Sequence, residues 1–135
     1  MSRSDVVRRF YAAFTARDLP ALLDTLDPEI DFQPVLGVLY SRHAYHGRDG
    51  MTGWYEELAT GWDSFEMRVE EAVDMGDRVV AFVRMAAHRG EQTLEAEIAV
   101  ECRFAGERIS SFVGRDAWDA AAEIGIQRPG PGTLR

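Results

Sequence analysis

Near Phe65 the spacing of apolar residues changes from helical to alternating, and it stays alternating for most of the remaining chain. This switch constrains the fold more than any other feature, because a stripe of helical period and a stripe of period two bury their faces in different kinds of element. Before it, Val6, Val7, Phe10, Ala13 and Phe14 recur at helical spacing behind Ser2-Arg-Ser-Asp5, which has the form of a capping box. The spacing predicts a first helix over 5–16. Asp18 can cap a second helix carrying Leu19, Leu22, Leu23 and Leu26 on one face, with Pro28 as its stop. Glu29 to Gln33 reads as a short strand halted by Pro34, followed by a loop that holds Leu36, Leu39, Tyr40, His43 and Tyr45. Met51, Trp54, Tyr55 and Leu58 mark a third helix from near Arg48 to Gly61, where a glycine can take the left-handed cap.

After the switch, Phe65, Met67 and Val69 alternate with Glu66, Arg68 and Glu70, and Gly76-Asp77 makes a turn. Strands are predicted over 78–89, 93–104 and 108–113, joined at Gly90-Glu91 and Ala105-Gly106 as an antiparallel meander. Asp116 can cap a last short helix through Ala122, and residues 127–135 read as a flexible tail. Helices followed by antiparallel strands imply an α+β domain over 1–126, with a curved sheet wrapped around three N-terminal helices and a cone-shaped pocket between the layers. At 135 residues the chain holds one core, since two would each be too small to stand alone.

All 15 basic residues are Arg and the formal net charge is -8, so the averaged field repels nucleic acid and anionic membranes. The absence of Lys removes Schiff-base chemistry. The opening Met1-Ser-Arg-Ser-Asp-Val-Val-Arg-Arg has no uninterrupted apolar run and no later run is long enough to span a bilayer, which leads to the expectation of a cytoplasmic protein. Cys102 stands alone in a strand and reads as a small core residue. His43 and His46 lie three apart, but without a third His or a carboxylate in the motif they do not define a metal site. No metal and no cofactor are expected.

The element order, with Arg9-Phe-Tyr-Ala-Ala-Phe14, Arg17-Asp-Leu19, Tyr45-His-Gly47, Gly76-Asp-Arg-Val-Val80 and Asp116-Ala-Trp-Asp-Ala-Ala-Ala-Glu-Ile-Gly125, resembles the SnoaL-like branch of the nuclear-transport-factor-2 superfold. The resemblance implies a conical pocket for a small lipophilic molecule and cofactor-independent isomerisation, cyclisation or hydrolysis, or else plain binding, because this superfold carries all of these. The ketosteroid isomerases of the superfold, one of the worked cases of pKa tuning, use a carboxylate base and an oxyanion hole of a tyrosine and a protonated acid. By resemblance the base position falls on Gln33, the tyrosine on Phe10 with Tyr11 beside it, and the acid on Ala99 or Val100. None of Gln33, Phe10, Ala99 and Val100 can do that work, so steroid isomerisation is not expected. The resemblance places Phe10, Phe14, Gln33, Tyr40, Trp54, Tyr55, Leu58, Arg84 and Val100 around the pocket.

If Gly90-Glu91 is a two-residue turn, Arg84 lies opposite Glu97, His88 opposite Thr93 and Val80 opposite Glu101. The other face, with Val79, Ala81, Val83, Met85, Ala87, Leu94, Ala96, Ile98, Val100 and Cys102, is wholly apolar. Two arrangements are open. Composition sends the apolar face to the helices and leaves Arg84 and Glu97 as a solvated ion pair. The resemblance sends Arg84 and Glu97 into the pocket, as catalytic candidates beside His43, and leaves Val79, Val83 and Met85 to bury against a second subunit. The expected partners are a small apolar molecule and a second copy of the chain, held through the outer sheet face.

Overall fold

The computed structural model describes residues 2–34 and 44–125. Helix α1 (Arg3–Thr15) starts at Ser2, whose hydroxyl accepts the Asp5 N–H at 3.1 Å while the Asp5 carboxylate accepts the Ser2 N–H, completing the capping box. It stops in a Schellman turn. Arg17 takes the left-handed conformation at φ 58°, the Arg17 N–H reaches Phe14 O, and the Asp18 N–H reaches Ala13 O. The guanidinium of Arg17 lies 4.5 Å from the Phe65 ring centroid and donates to Asp63 O, which ties this corner to the sheet.

Asp18 caps α2 (Leu19–Asp24) by accepting from the Ala21 N–H at 3.2 Å. The helix ends earlier than expected and Pro28 is not its stop. The Thr25 hydroxyl donates to Leu22 O at 2.7 Å, Thr25 O accepts from the Ile109 N–H at 2.9 Å, and the chain turns straight into β1 (Leu26–Gln33). Leu26 opens this strand and Pro28 lies inside it. The proline is tolerated because the register of β1 shifts between Leu26 and Asp31, where no ladder bond is required of it.

Strand β2 (Tyr45–His46) leads into α3 (Gly47–Gly61), which ends with Trp62 in an extended conformation at φ -133°, so Gly61 is not a left-handed cap. Four long strands follow: β3 (Ser64–Asp74), β4 (Val79–Arg89), β5 (Gln92–Ala105) and β6 (Arg108–Asp116). Helix α4 (Ala117–Ile124) begins at Asp116, whose carboxylate accepts the Trp118 and Asp119 N–H groups, and ends at Gly125 in the left-handed region at φ 79°.

The sheet order is β2-β1-β6-β5-β4-β3. It is antiparallel except where β1 runs parallel to β6, a long-range pairing that brings Phe32 beside Phe112 and Gln33 beside Val113. The Gly90-Glu91 hairpin has the expected register, with Arg84 opposite Glu97, His88 opposite Thr93 and Val80 opposite Glu101. The sheet is curved and does not close into a barrel.

The apolar row meets the helices, as in the first of the two arrangements, but the opposite row does not leave a solvated pair, since the Glu97 side chain is only 6% exposed. Val79, Ala81, Val83, Met85, Ile98, Val100 and Cys102 are buried in one cluster with Val7, Phe10, Phe14, Leu22, Trp54 and Leu58 of the helices. Val79, Val83 and Met85 therefore cannot form an outer interface with a second subunit. Among the described residues the opposite face holds a buried apolar cluster under α4, where Val80, Phe82 and Ala99 meet Ala117, Ala120 and Ala121. An ion-pair lattice clasps that helix down. Arg115 binds Glu101 and, at 3.0 Å, Glu123, while Arg78 lies 3.1 Å from Glu101 and 3.3 Å from Glu123. These carboxylates raise the already high pKa of Arg115, and Arg115 holds the Glu123 carboxyl below the usual carboxylate range. Cys102 is buried, as its strand context requires, and burial pushes its thiol pKa well up.

Candidate ligand cavity

The cavity lies between the helices and the inner face of the sheet. Its roof is aromatic: Tyr11 comes from α1, Trp54 from α3 and Phe32 from the end of β1, with Pro34 beside it. Its floor is aliphatic: Met67 of β3, Met85 of β4, Ile98 and Val100 of β5, and Gly114 of β6. Strand parity delivers these residues. Met67 faces Met85 directly across the β3–β4 pair, and Val100 faces Gly114, whose missing side chain leaves the space above it to the cavity.

The roof is held by its neighbours. The Trp54 ring lies 4.7 Å from both Phe14 and Phe32, and Tyr11 meets Phe10 edge-on at 4.9 Å. The space between these side chains is about 260 Å³ when its opening to solvent is counted, nearly all of it too narrow for water. As packed the cavity takes about one water. Tyr11 is the ionisable side chain of this wall among the described residues. A larger open groove of about 1090 Å³ lies among Arg9, Asp24, Asp27, Glu107 and Arg108, but it is a solvated surface in which Arg108 pairs with Asp24 at 3.7 Å. It has no apolar enclosure, so the smaller cavity is the candidate site.

Of the residues expected around the pocket, Trp54 and Val100 line the cavity. Phe10, Phe14 and Leu58 are buried in the core that supports Trp54, and half-buried Tyr55 packs on Phe14 at 5.7 Å. Gln33 is placed differently: Phe32 turns inward beside Phe112, so Gln33 is exposed on the outer face in the row of Val113 and Glu101. Arg84 is also on the outer face, 3.6 Å from Glu70 and 3.9 Å from Glu97. Sheet alternation separates this group from the cavity, because Val83 and Met85 on either side of Arg84 are the inward residues. Tyr40 and His43 lie outside the described residues.

Tyr11, Phe32, Pro34, Met67, Met85, Ile98 and Gly114 line the cavity without having been expected there, and Tyr11 is the ionisable one. Its signal is its place on the helical stripe Val7, Tyr11 and Phe14, three and four residues apart and all buried. His46 is exposed on the sheet edge, with Asp31 at 2.8 Å from Nδ1 and Glu29 at 3.1 Å from Nε2. The bond to Asp31, then that to Glu29, raises its pKa above the ordinary 6.5. Among the described residues no group of three or more His, Cys, Asp and Glu is arranged to hold a metal, and no helix is long and apolar enough to cross a membrane.

A six-stranded curved sheet over three helices, enclosing an apolar cavity, defines the cone-shaped nuclear-transport-factor-2-like class. Within that class the chain belongs to the SnoaL-like domain family, whose profile matches residues 7–112. Solved structures agree on the fold. Bal32a from a soil-derived mobile gene cassette is 20% identical with a TM-score of 0.76, covering 84% of this chain and 87% of its own. TerC co-crystallised with polyporic acid is 17% identical with a TM-score of 0.75, covering 90% and 97%. A protein with a ketosteroid isomerase-like fold from Catenulispora acidiphila, in complex with trimethylamine, is 18% identical with a TM-score of 0.72, covering 91% and 94%. Putative polyketide cyclases share the fold as well. A search of curated proteins found no match.

Proposed function

We propose that this SnoaL-like domain binds one small, neutral, largely apolar molecule of one or two rings in the cavity under Trp54, with the Tyr11 hydroxyl supplying the hydrogen bond that orients it. The observation that carries this reading is the makeup of the wall, in which aromatic and aliphatic side chains surround a single phenol among the described lining residues. As packed the cavity takes about one water, so a ligand of one or two rings enters only as side chains of the wall give way. Among the described lining residues none carries a charge that would offset the desolvation of a charged ligand.

The family and its neighbours belong to a group of small-molecule isomerase- and cyclase-type proteins. A general base for such chemistry is a carboxylate or imidazole within reach of the substrate. The described wall offers a hydroxyl instead, which suits polarising a carbonyl or holding a phenol, so binding takes precedence over acid–base catalysis in this reading. Co-crystallisation of TerC with polyporic acid supports a small-molecule site in this fold.

The test is titration with phenol and 2-naphthol, read on protein carrying ¹³C-labelled methionine methyls. Saturable shifts at the Met67 and Met85 methyls are expected, and Tyr11→Phe should weaken binding two- to tenfold, the worth of one neutral hydrogen bond at about 0.5–1.5 kcal/mol. If neither probe shifts either methyl saturably in the wild-type protein, the reading is wrong.

A further inference from the structure

The cavity wall contains two kinds of side chain, those that can move aside and those that cannot. Trp54 is wedged between Phe14 and Phe32, each at 4.7 Å, and Tyr11 is set edge-on against Phe10 at 4.9 Å and Phe112 at 6.1 Å. Phe32 is held likewise, between Trp54, Tyr45 at 6.0 Å and Phe112 at 5.8 Å, and turning any of these three rings would disturb several others in a close-packed cluster. Pro34 has a fixed ring and Gly114 no side chain. Ile98 and Val100 are β-branched and stiff at their first torsion.

Met67 and Met85 remain. Each is unbranched, with three rotatable bonds ending in a polarisable thioether that gains from contact with aromatic rings. They are direct cross-strand partners, so their side chains stand next to each other on the cavity floor. Their backbones are held: the Thr15 hydroxyl accepts the Met67 N–H and donates to Met67 O, both at 3.0 Å, and Met85 is paired on both sides, with Met67 and Ala96. Motion at this pair is therefore motion of side chains, while the sheet stays in register.

As packed, the cavity takes about one water, so a ligand must be given room by its walls. We propose that Met67 and Met85 form a displaceable wall whose side-chain positions set the size of ligand the cavity admits, and whose thioethers close on the ring of the bound molecule opposite Trp54. This rests on the binding reading above and adds which residues determine specificity. The inference comes by elimination among the described lining residues, together with the pairing that places the two methionines side by side.

The experiment compares phenol, 2-naphthol and the four-ring phenol equilenin on the wild-type protein and on Met67→Ala, Met85→Ala, Met67→Leu and Met85→Leu. Amide correlation spectra identify the variants that keep the fold. Wild type should prefer 2-naphthol to equilenin. Each alanine variant should shift that preference toward equilenin by about tenfold or more, the scale on which removal of methylene-sized groups alters pocket selectivity. The leucine variants, of similar volume but branched, should lose affinity for 2-naphthol without gaining equilenin. If an alanine variant does not fold, the labelled methyls of wild type still decide the matter: their ¹³C shifts must report a change of side-chain rotamer at Met67 and Met85 on binding. Probes that bind with an unchanged preference in folded alanine variants, or with unchanged methionine rotamers, overturn the displaceable wall and leave the binding reading standing. Failure of every probe to bind wild type overturns both.

Discussion

Replacing Glu101 by Gln removes the more buried of the two anions that Arg78 and Arg115 share in the lattice fixing α4 to the outer sheet face. The Glu101 side chain is only 16% exposed, and its neighbours Arg78 and Arg115 are 18% and 26% exposed, so water cannot fully replace the lost carboxylate. The contacts are unequal. Arg115 donates a hydrogen bond to Glu101, whereas Nε of Arg78 approaches to 3.1 Å without hydrogen-bond geometry, so that pair is mainly coulombic. One charge-assisted hydrogen bond of about 1.5–3 kcal/mol is thus weakened, and a half-buried coulombic contact adds less than 1 kcal/mol; since the amide oxygen still accepts, the net loss is about 2 kcal/mol. For a domain of this size that corresponds to a fall in Tm of roughly 6–10 °C. Glu123→Gln should cost less than half as much, because that side chain is 46% exposed. Differential scanning calorimetry measures the Tm values, and amide exchange over residues 117–124 shows whether α4 is the part released. A Glu101→Gln protein melting within about 2 °C of wild type, or one outlasting Glu123→Gln, would refute the argument that burial gives this lattice its strength.

Three other outcomes follow from the same geometry. His46 has its pKa raised by Asp31 and Glu29, so its contribution is fully present below the unfolded value of 6.5 and is lost as pH rises through the folded pKa; the Tm gap between wild type and His46→Gln should be wide at pH 5.5 and closed by pH 9. Phe14→Ala removes a fully buried ring packed on Trp54, Tyr55 and Phe65 and should cost about 3–5 kcal/mol in urea unfolding, with the slope unchanged. Gln33→Asp should create no proton-transfer activity toward an unsaturated steroid ketone, followed by ultraviolet absorbance, because the new carboxylate would sit exposed on the outer sheet face; a rate clearly above the parent would show that the parity of β1 is wrong.

Local rules were legible and long-range ones were not. The register of the β4–β5 hairpin could be read because a two-residue turn fixes every facing pair, whereas the face it buries stayed open between the apolar row and the resemblance, and the structure turns the apolar row inward. The end of α2 could not, since it depends on Thr25 O meeting the Ile109 N–H, a partner far away in sequence, and Pro28 offered a local stop that the chain does not use. The misplacements of Gln33 and Arg84 are errors of parity. Ile30 and Phe32 alternate with Asp31 and Gln33, so the apolar pair already marks the inward positions of β1, yet matching the strand to a known catalytic pattern selected Gln33. In α1 the buried stripe continues from Val7 through Tyr11 to Phe14, and attention to Phe10 hid the phenol beside it.

Parity also separates the chemistry of the two sheet faces. On β4, β5 and β6 the residues Arg84, Glu97, Glu101 and Arg115 share the outer face, whereas Met85, Ile98, Val100 and Gly114 share the inner one. A slip of one residue in any of these strands would exchange the two sets, placing charges in the core and thioethers in water, at a cost of several kcal/mol for each unpaired buried charge. The register is thus protected by the same residues that dock α4. With these charges committed to the outer face, the described cavity wall keeps one phenol among apolar side chains, and the binding proposed above would depend on shape and on the hydrogen bond to that phenol. On the proposed reading a hydrogen bond to Tyr11 would distinguish a ligand bearing a carbonyl or hydroxyl from its hydrocarbon analogue, because the analogue cannot form that bond. Size discrimination then falls to whichever wall can yield, and that is where the Met67 and Met85 pair sits.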